Sequence, residues 1–313
     1  MLLHVVHETR YEYTPAVENA HHVVHLKPCS SPRQTLLSHS LTISPTPAQQ
    51  REVPDVYGNS RTFFSFQTSH DVLVVKADSL VSTGAASAAL SAPGCALTWE
   101  EAREQFRYRA GSVYDSASEF LFASPYVPRD DAFVQFARPS FAAGRLLPDA
   151  AHDLMQRIHA SMVYESDSTE VHTVALDALR QGKGVCQDFA HIMVACCRAM
   201  GLPARYVSGY MLTKPPPGQP RLIGADASHA WASVYCPGEA PGTGQWLDFD
   251  PTNDRAPGED YVTLATGRDF LDVSPLRGVI RGGAQHILDV AVTVEPIEPP
   301  EPAKPPTLQD TAA

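Results

Sequence analysis

With 313 residues, 43% of them hydrophobic, the chain is long enough for two domains or one large one with a sizeable core. Its formal net charge of −11, from 24 basic against 35 acidic side chains, and the lack of a basic patch argue against a nucleic-acid partner. No apolar run reaches the ~18 residues of a membrane span, and the opening MLLHVVHETRYEYTP lacks the basic start of a signal peptide. The six cysteines, at positions 29, 95, 186, 196, 197 and 236, form no CxxC and no paired framework, so reduced thiols and a cytoplasmic location are expected.

Residues 1–82 read as strands. LLHVVHETRYEY, HHVVHLKP, QTLLSHSLTIS, RTFFSFQ and DVLVVKADSLVS are β-branched or aromatic runs separated by turn clusters such as SPTP and YGNS. They predict a β-sandwich-like domain or small barrel, with Asp55 to Asn59 as a turn. The histidines here, His21 and His22 among them, have no cysteine or carboxylate at ligand spacing, so no metal and no cofactor is expected. Residues 83–147 form a linker and helical connection: small, breaker-rich residues to about 98, a short helix from Trp99 to Tyr108, then helical pieces and the SPYVPRDD turn. Helices are predicted from Pro148 to about Met162 and from Val174 to Gln181, the latter capped by Thr173. Strands follow at ARYVSGYML, SHAWASVY and QWLDFD, with the Pro-rich loop KPPPGQPRL after the first. VTLATGRDFLDVSP reads as a loop and HILDVAVTVE as a last strand. Helices followed by strands predict an α+β core over 148–295; the Pro-rich residues 296–313 read as a disordered tail.

Between the helices and the strands lies GVCQDFAHIMVACCRAMGLPARY, residues 184–206. Phe189, Ile192, Met193, Cys196 and Met200 recur at three- and four-residue steps, giving a helix with an apolar face. Gly201 and Pro203 stop it, and Gly184 lets the chain turn sharply before it. Cys186 therefore sits in the first turn, where unpaired N–H groups and the positive end of the helix dipole favour a thiolate. Cys196 and Cys197 read as buried apolar residues.

A thiolate nucleophile needs a base and an orienting acid. His191, five residues on, is turned about 140° around the helix from Cys186 and is read as a packed or surface residue. In SHAWASVY, His229, Trp231, Ser233 and Tyr235 share one strand face; in QWLDFD, Trp246, Asp248 and Asp250 do. Pairing Tyr235 with Gly244 across the CPGEAPGTG hairpin sets His229 opposite Asp250. A shift of two residues exchanges Asp250 for Asp248, which is the second choice. A helix-start Cys, a strand His and an Asp at the end of the next strand can form a nucleophile, base and orienter.

At these residues the chain resembles the transglutaminase-like superfamily, in its bacterial branch often described as cysteine proteases. GVCQDFAHIMVACCRAMGLPARYVSGY, SHAWASVY and WLDFDPTND match the three core blocks in order and spacing, and GRDFLDVSPLRGVIRGG matches a further block. ETRYEYTPAV with DVYGNS resembles the β-rich N-terminal domain. The resemblance implies a papain-like core, a helix carrying Cys against an antiparallel sheet carrying His and Asp. It gives Cys186 as nucleophile, His229 as base and Asp250 as orienting carboxylate. Two departures stand out. Animal transglutaminases carry an oxyanion-donating Trp where this chain has none between Trp99 and Trp231; Tyr164 is the candidate in its place beside the Cys186 N–H, or a core residue. Ala232 and Ser233 stand where relatives often carry Val and an acidic residue.

The expected function is thiol-dependent acyl transfer on the amide bond of a peptide or protein substrate, with hydrolysis by a peptidase or amidase favoured. The alternatives are a transglutaminase making isopeptide bonds with amines, a catalytically silent peptide-binding module, and a zinc protein using Cys186 and His229. No calcium loop of the D-x-[DN]-x-[DN]-G type occurs, and the oligomeric state is not readable from the chain.

Overall fold

The computed structural model describes residues 1–84, 95–111, 113–166, 168–213 and 228–297. Five strands open the chain: β1 (Leu2–Val24), β2 (Gln34–Ser44), β3 (Gln49–Pro54), β4 (Ser60–Phe66) and β5 (His70–Thr83). The two runs read separately in the sequence, LLHVVHETRYEY and HHVVHLKP, are one continuous strand. β1 alternates buried and half-buried residues from Leu3 through Thr9, as a strand with one covered face does. It pairs with β5 through its first half and with β4 through its second. The sheet curls as a half-barrel around Val17, Ala20, Phe64, Phe66, Leu73 and Val75. Asp55 Oδ1 accepts from the N–H groups of Tyr57 and Asn59, and Gly58 takes φ +86°, so the expected turn is present.

The central part supplies helices α1 (Trp99–Gln105), α2 (Asp131–Ala137), α3 (Leu147–Ser161), α4 (Ala175–Gln181) and α5 (Cys186–Ala199). The short strands β6 (Val163–Tyr164) and β7 (Lys183–Gly184) pair in parallel. Thr98 caps α1 in a reciprocal box with Glu101. Thr173 does not cap α4; its hydroxyl accepts from Glu170 N, and Val174 occupies the cap position. Strands β8 (Ala204–Met211), β9 (Ser228–Cys236), β10 (Gln245–Phe249) and β11 (Tyr261–Gly267) form a four-stranded antiparallel sheet in the order β10-β9-β8-β11. The stretch VTLATGRDFLDVSP, expected as a loop, is mostly β11 and the short helix α6 (Phe270–Val273). Its Gly, Thr and Asp residues carry turn propensity, but Val262, Leu264 and Ala265 are buried, and that burial decides the outcome.

The chain ends with β12 (Leu276–Gly282) and β13 (Gln285–Pro296), and both pair with β1. Among the described residues the first sheet is thus seven-stranded. The expected core range 148–295 therefore takes in two strands that belong to the other sheet. No local signal announces such a return, because the pairing partner lies more than 250 residues away in the chain. KPPPGQPRL, most of the 83–98 linker and all but the start of the tail fall outside the described residues.

α5 is the hub of the core. Residues Gln187 through Arg198 are all buried, between α2, α3 and α4 on one side and β8 and β9 on the other. Gly201 at φ +82° ends it, with Leu202 N–H on the Cys197 carbonyl and Gly201 N–H on that of Arg198. A second cluster joins the two sheets: Leu3, Val5, Val81, Val292 and Val294 meet Ala190, Tyr206, Tyr210, Val262 and Leu264. Two side-chain amides lock the joint. Gln34 exchanges a pair of hydrogen bonds with the backbone of Thr263 (2.7 Å each), and Asn59 does the same with Thr266 (2.8 Å each). They satisfy backbone groups on the outer edge of β11 that would otherwise need another strand.

Cys95 and Cys236 are joined by a disulfide, with Cα atoms 6.0 Å apart, which overturns the expectation that all six thiols are reduced. A separation of 141 residues leaves no spacing motif to read; only the packing of the segment before α1 against the end of β9 brings the two together.

Candidate active site

Cys186 is the first residue of α5 and is half-buried. As the first helical residue its N–H has no acceptor within the helix. The approach to it is built by Asp188, whose Oδ2 accepts from Val185 N (2.8 Å) and from the Thr169 hydroxyl (2.6 Å). Gly184 is needed there for room: a Cβ would lie 2.6 Å from Asp188 Oδ2, and φ is outside the left-handed range. The sharp turn expected at Gly184 is thus a close approach of side chain to backbone. Burial raises the Asp188 pKa, opposed by its hydrogen bonds to Thr169 and Val185.

His229 and Asp250 come together on the sheet. His229 Nε2 and Asp250 Oδ2 are 2.7 Å apart, with Asp250 wholly buried and His229 8% exposed. The hairpin register differs from the expected one by two residues. Trp246 faces Tyr235 and Asp248 faces Ser233. Gly244, expected opposite Tyr235, instead donates its N–H to the Tyr235 hydroxyl (3.0 Å), which shortens the ladder. Asp250 still reaches His229 because β10 ends at Phe249 and the chain turns. Asp250 Oδ1 accepts from Thr252 N (2.9 Å) and Asn253 N (3.2 Å), leaving Oδ2 aimed at the imidazole. Asp248, the second choice, is engaged elsewhere: it bonds Arg33 at 2.6 Å and the Ser233 hydroxyl.

The electrostatics follow from these contacts. Burial disfavours a charged imidazole, but the hydrogen bonds it donates to Asp250 and Cys186, and their charges, outweigh it and push the His229 pKa up to about 10. Burial likewise disfavours the Asp250 carboxylate, yet His229, Asn253 and Tyr261 hold it below the usual range. With Nε2 given to Asp250, Nδ1 is the imidazole nitrogen left for Cys186. The arrangement can hold an imidazolium between a carboxylate and a sulfur.

Further groups at Asp250 were not read from the sequence. Asn253 Nδ2 donates to Oδ2 at 2.7 Å and lies 3.4 Å from His229 Nε2. The Tyr261 hydroxyl donates to the same oxygen (2.7 Å) and accepts from Arg255 Nε (3.0 Å), while Arg255 Nη2 pairs with Asp260 (2.6 Å). Asn253 and Arg255 sit in and just after the DPTND block, a usable signal. Tyr261 is the first residue of β11, immediately before the VTLATGRDFLDVSP stretch, and no motif marks it. Trp231, one strand repeat from His229, packs its ring 6.2 Å from the imidazole and edge-on to Tyr261. Gly209 makes room for it, since a Cβ there would lie 2.5 Å from Trp231 Cη2.

Tyr164 lies in β6 directly beside Gly184 of β7, two residues from Cys186, and is 55% exposed. Burial of its ring edge and the nearby Cys186 push its phenol pKa up. His191 does not approach the sulfur. It is fully buried between the rings of Tyr126 and Tyr206, accepts from Phe270 N at 3.1 Å, and burial pushes its pKa down to about 3.

Residues 3–82 match the family described as the bacterial transglutaminase-like N-terminal region, and residues 135–251 match the transglutaminase-like superfamily. The chain belongs to the transglutaminase-like superfamily. The second match spans Cys186, His229 and Asp250. Among similar members, an uncharacterized protein of Mycobacterium tuberculosis is 41% identical over 296 residues, 94% of this chain and 92% of that protein. One of Mycobacterium leprae is 31% identical over 295 residues, 93% of this chain and 98% of that protein. A solved structure of a proposed cysteine protease from Cytophaga hutchinsonii has a TM-score of 0.71 at 21% identity, covering 96% of this chain and 91% of that one. The transglutaminase-like fold is therefore shared over both the N-terminal sheet and the core.

Proposed function

We propose that this transglutaminase-like protein is a thiol acyl-transfer enzyme that hydrolyses amide bonds of a peptide or protein substrate. Cys186 is the nucleophile, His229 the acid–base group and Asp250 the carboxylate that orients it. The observation that carries the reading is the buried His229, held by Asp250 at 2.7 Å on one side and by Cys186 on the other. Superfamily membership supports it.

In this reading the Cys186 sulfur attacks the amide carbonyl, forming an S–C bond. The oxyanion is held by the Cys186 N–H and the Tyr164 hydroxyl; one such donor typically contributes ~10²–10³ in rate. His229 gives its proton to the leaving nitrogen as the C–N bond breaks, leaving a thioester. A water then loses a proton to His229 and adds to the thioester carbon, and the sulfur departs. Asp250 keeps the imidazole oriented and stabilises its charged form throughout.

The test is to incubate the protein with a glutamine peptide and with a peptide library, with and without a labelled primary amine. Ammonia release or backbone cleavage that vanishes in Cys186→Ala, without amine incorporation, is the expected result. Incorporated amine would reassign the site to cross-linking. No turnover, with iodoacetamide alkylating Cys186 no faster than an ordinary thiol, would leave a silent binding module.

A further inference from the structure

A cleft of about 660 Å³ opens between the outer face of the four-stranded sheet and the loops at residues 29–34 and 57–59 of the N-terminal domain. None of Cys186, His229 and Asp250 lines it. Its floor carries Arg205, Trp231, Trp246 and Asp248, and Arg33 reaches in from the other domain. The volume falls in the range of small-molecule sites.

The polar groups of this cleft are unbalanced. Asp248 is already engaged: one oxygen takes Arg33 Nη2 at 2.6 Å, the other the Ser233 hydroxyl. Arg205 stacks its guanidinium 4.1 Å over the Trp246 ring, and among the described residues no acceptor takes a hydrogen bond from it. Its Nε is sealed from solvent without a partner. Burial lowers its pKa to about 10, which leaves it charged at neutral pH. Trp231, 1% exposed, also has its Nε1–H without an acceptor among the described residues. Among the described residues that line it, two arginines against one aspartate give this cleft a net charge of +1, in a chain of net charge −11. A guanidinium held on an aromatic face with its planar fork uncommitted is suited to a carboxylate, which it can grip with two parallel N–H groups. One spare positive charge balances a monoanion and not a phosphate dianion. Half-buried Trp246 and Tyr57 supply flat apolar walls, and the buried Trp231 and Tyr261 close the cleft beneath them.

We propose that this cleft is a binding site for a small organic acid, its carboxylate on the Arg205 guanidinium and its flat apolar body against Trp246 and Tyr57. The site stands apart from the catalytic reading but shares a wall with it. Trp231 touches the His229 ring from behind, and Tyr261 bonds Asp250.

The test is a calorimetric titration of the full-length protein with 3-phenylpropionate, 3-phenylpropanol and inorganic phosphate, followed in parallel by tryptophan fluorescence. Two of the three tryptophans line the cleft. Saturable binding of the acid, at least tenfold tighter than the alcohol and than phosphate, is expected. Arg205→Gln should weaken the acid by roughly 10–100-fold, as loss of a charge-assisted bidentate contact does. Asp248→Asn, which removes the competing carboxylate, should tighten it several-fold and keeps the idea testable if Arg205→Gln fails to fold. Binding of the alcohol or of phosphate as tight as that of the acid, an Asp248→Asn variant that binds no tighter, or no saturation at millimolar concentration, would overturn the proposal.

Discussion

His229 Nε2 meets Asp250 Oδ2 at 2.7 Å although the two residues are not opposite each other in the β9–β10 ladder. The contact is made by a turn, not by the ladder: Asp250 folds back onto the N–H groups of Thr252 and Asn253, and Asn253 and Tyr261 complete the carboxylate's shell. A carboxylate with that many donors is held both in position and in its charged form.

Asp250→Asn tests this most directly. It preserves size but removes the charge that stabilises the imidazolium, so amide hydrolysis should fall by roughly 10³–10⁴-fold with little change in substrate affinity. The pH profile should move as well. His229 keeps its proton up to about pH 10 when folded, against about 6.5 in an unfolded chain. A raised histidine value contributes stability that is complete below about 6.5 and lost as pH rises through about 10. The alkaline limb of activity should therefore lie near 10 in the native protein and at least one unit lower in Asp250→Asn. A limb that stays in place would show that Asp250 does not set the His229 proton.

Gly184→Ala addresses the approach to Cys186. The new Cβ would sit 2.6 Å from Asp188 Oδ2, so Asp188 must leave Val185 N and Thr169. Overpacking of this kind costs about 1–3 kcal/mol. Because the displaced carboxylate caps the turn that carries the thiol, the Cys186 alkylation rate should fall further than the loss of melting temperature alone explains. Urea melts and iodoacetamide kinetics on the same preparation separate the two effects.

The Cys186 helix was legible because apolar spacing, a preceding Gly and a following Gly-x-Pro all agree locally. The strand alternation that puts His229 and Trp231 on one face was legible for the same reason. The hairpin register was not, because it turns on the Gly244 N–H bonding a tyrosine hydroxyl in place of a strand partner. β13 shows as a β-prone run and β12 does not, and nothing local says that the two pair with the first strand of the chain. Tyr261 was not legible because it opens β11, and the residues after it, Val262 to Gly267, are strand only by virtue of burial, pairing with β8 and the amide clamps of Gln34 and Asn59. Long-range pairing, of strands or of cysteines, is what local pattern does not carry.

The Cys95–Cys236 bond makes a countable prediction. Denatured without reductant, the protein should show four free thiols, those of Cys29, Cys186, Cys196 and Cys197, and six after reduction. Closing so long a loop should stabilise by about 2–4 kcal/mol, so reductant should lower the melting temperature measurably. Disulfides are rare in reducing cytosol. Thiol trapping in intact cells therefore also tests the cytoplasmic location expected from the sequence: six trapped thiols would place the protein in a reducing compartment with this bond open.

Acid sensitivity should come from buried neutral histidines. Burial pushes His7 and His22 down to about 4 and His191 to about 3, with His70 and His21 adding to the effect at His22. A lowered histidine value means the unfolded chain binds a proton that the native one does not, so stability falls as pH drops below about 6.5 and keeps falling to about 4. Each such group contributes roughly 1.4 kcal/mol per pH unit over that window. His22 is the one to replace. Among the described residues neither of its ring nitrogens has a partner, and it stacks 5.0 Å from Phe64 inside the half-barrel. His22→Phe should leave stability at pH 8 equal or higher, since it removes two unsatisfied polar atoms from an apolar site. It should also cut the slope of stability against pH between 6 and 4.5 by about one proton's worth. Denaturant titrations across that range measure both quantities. An unchanged slope would mean that His22 stays neutral in the unfolded chain too, or is reached by solvent in the native one.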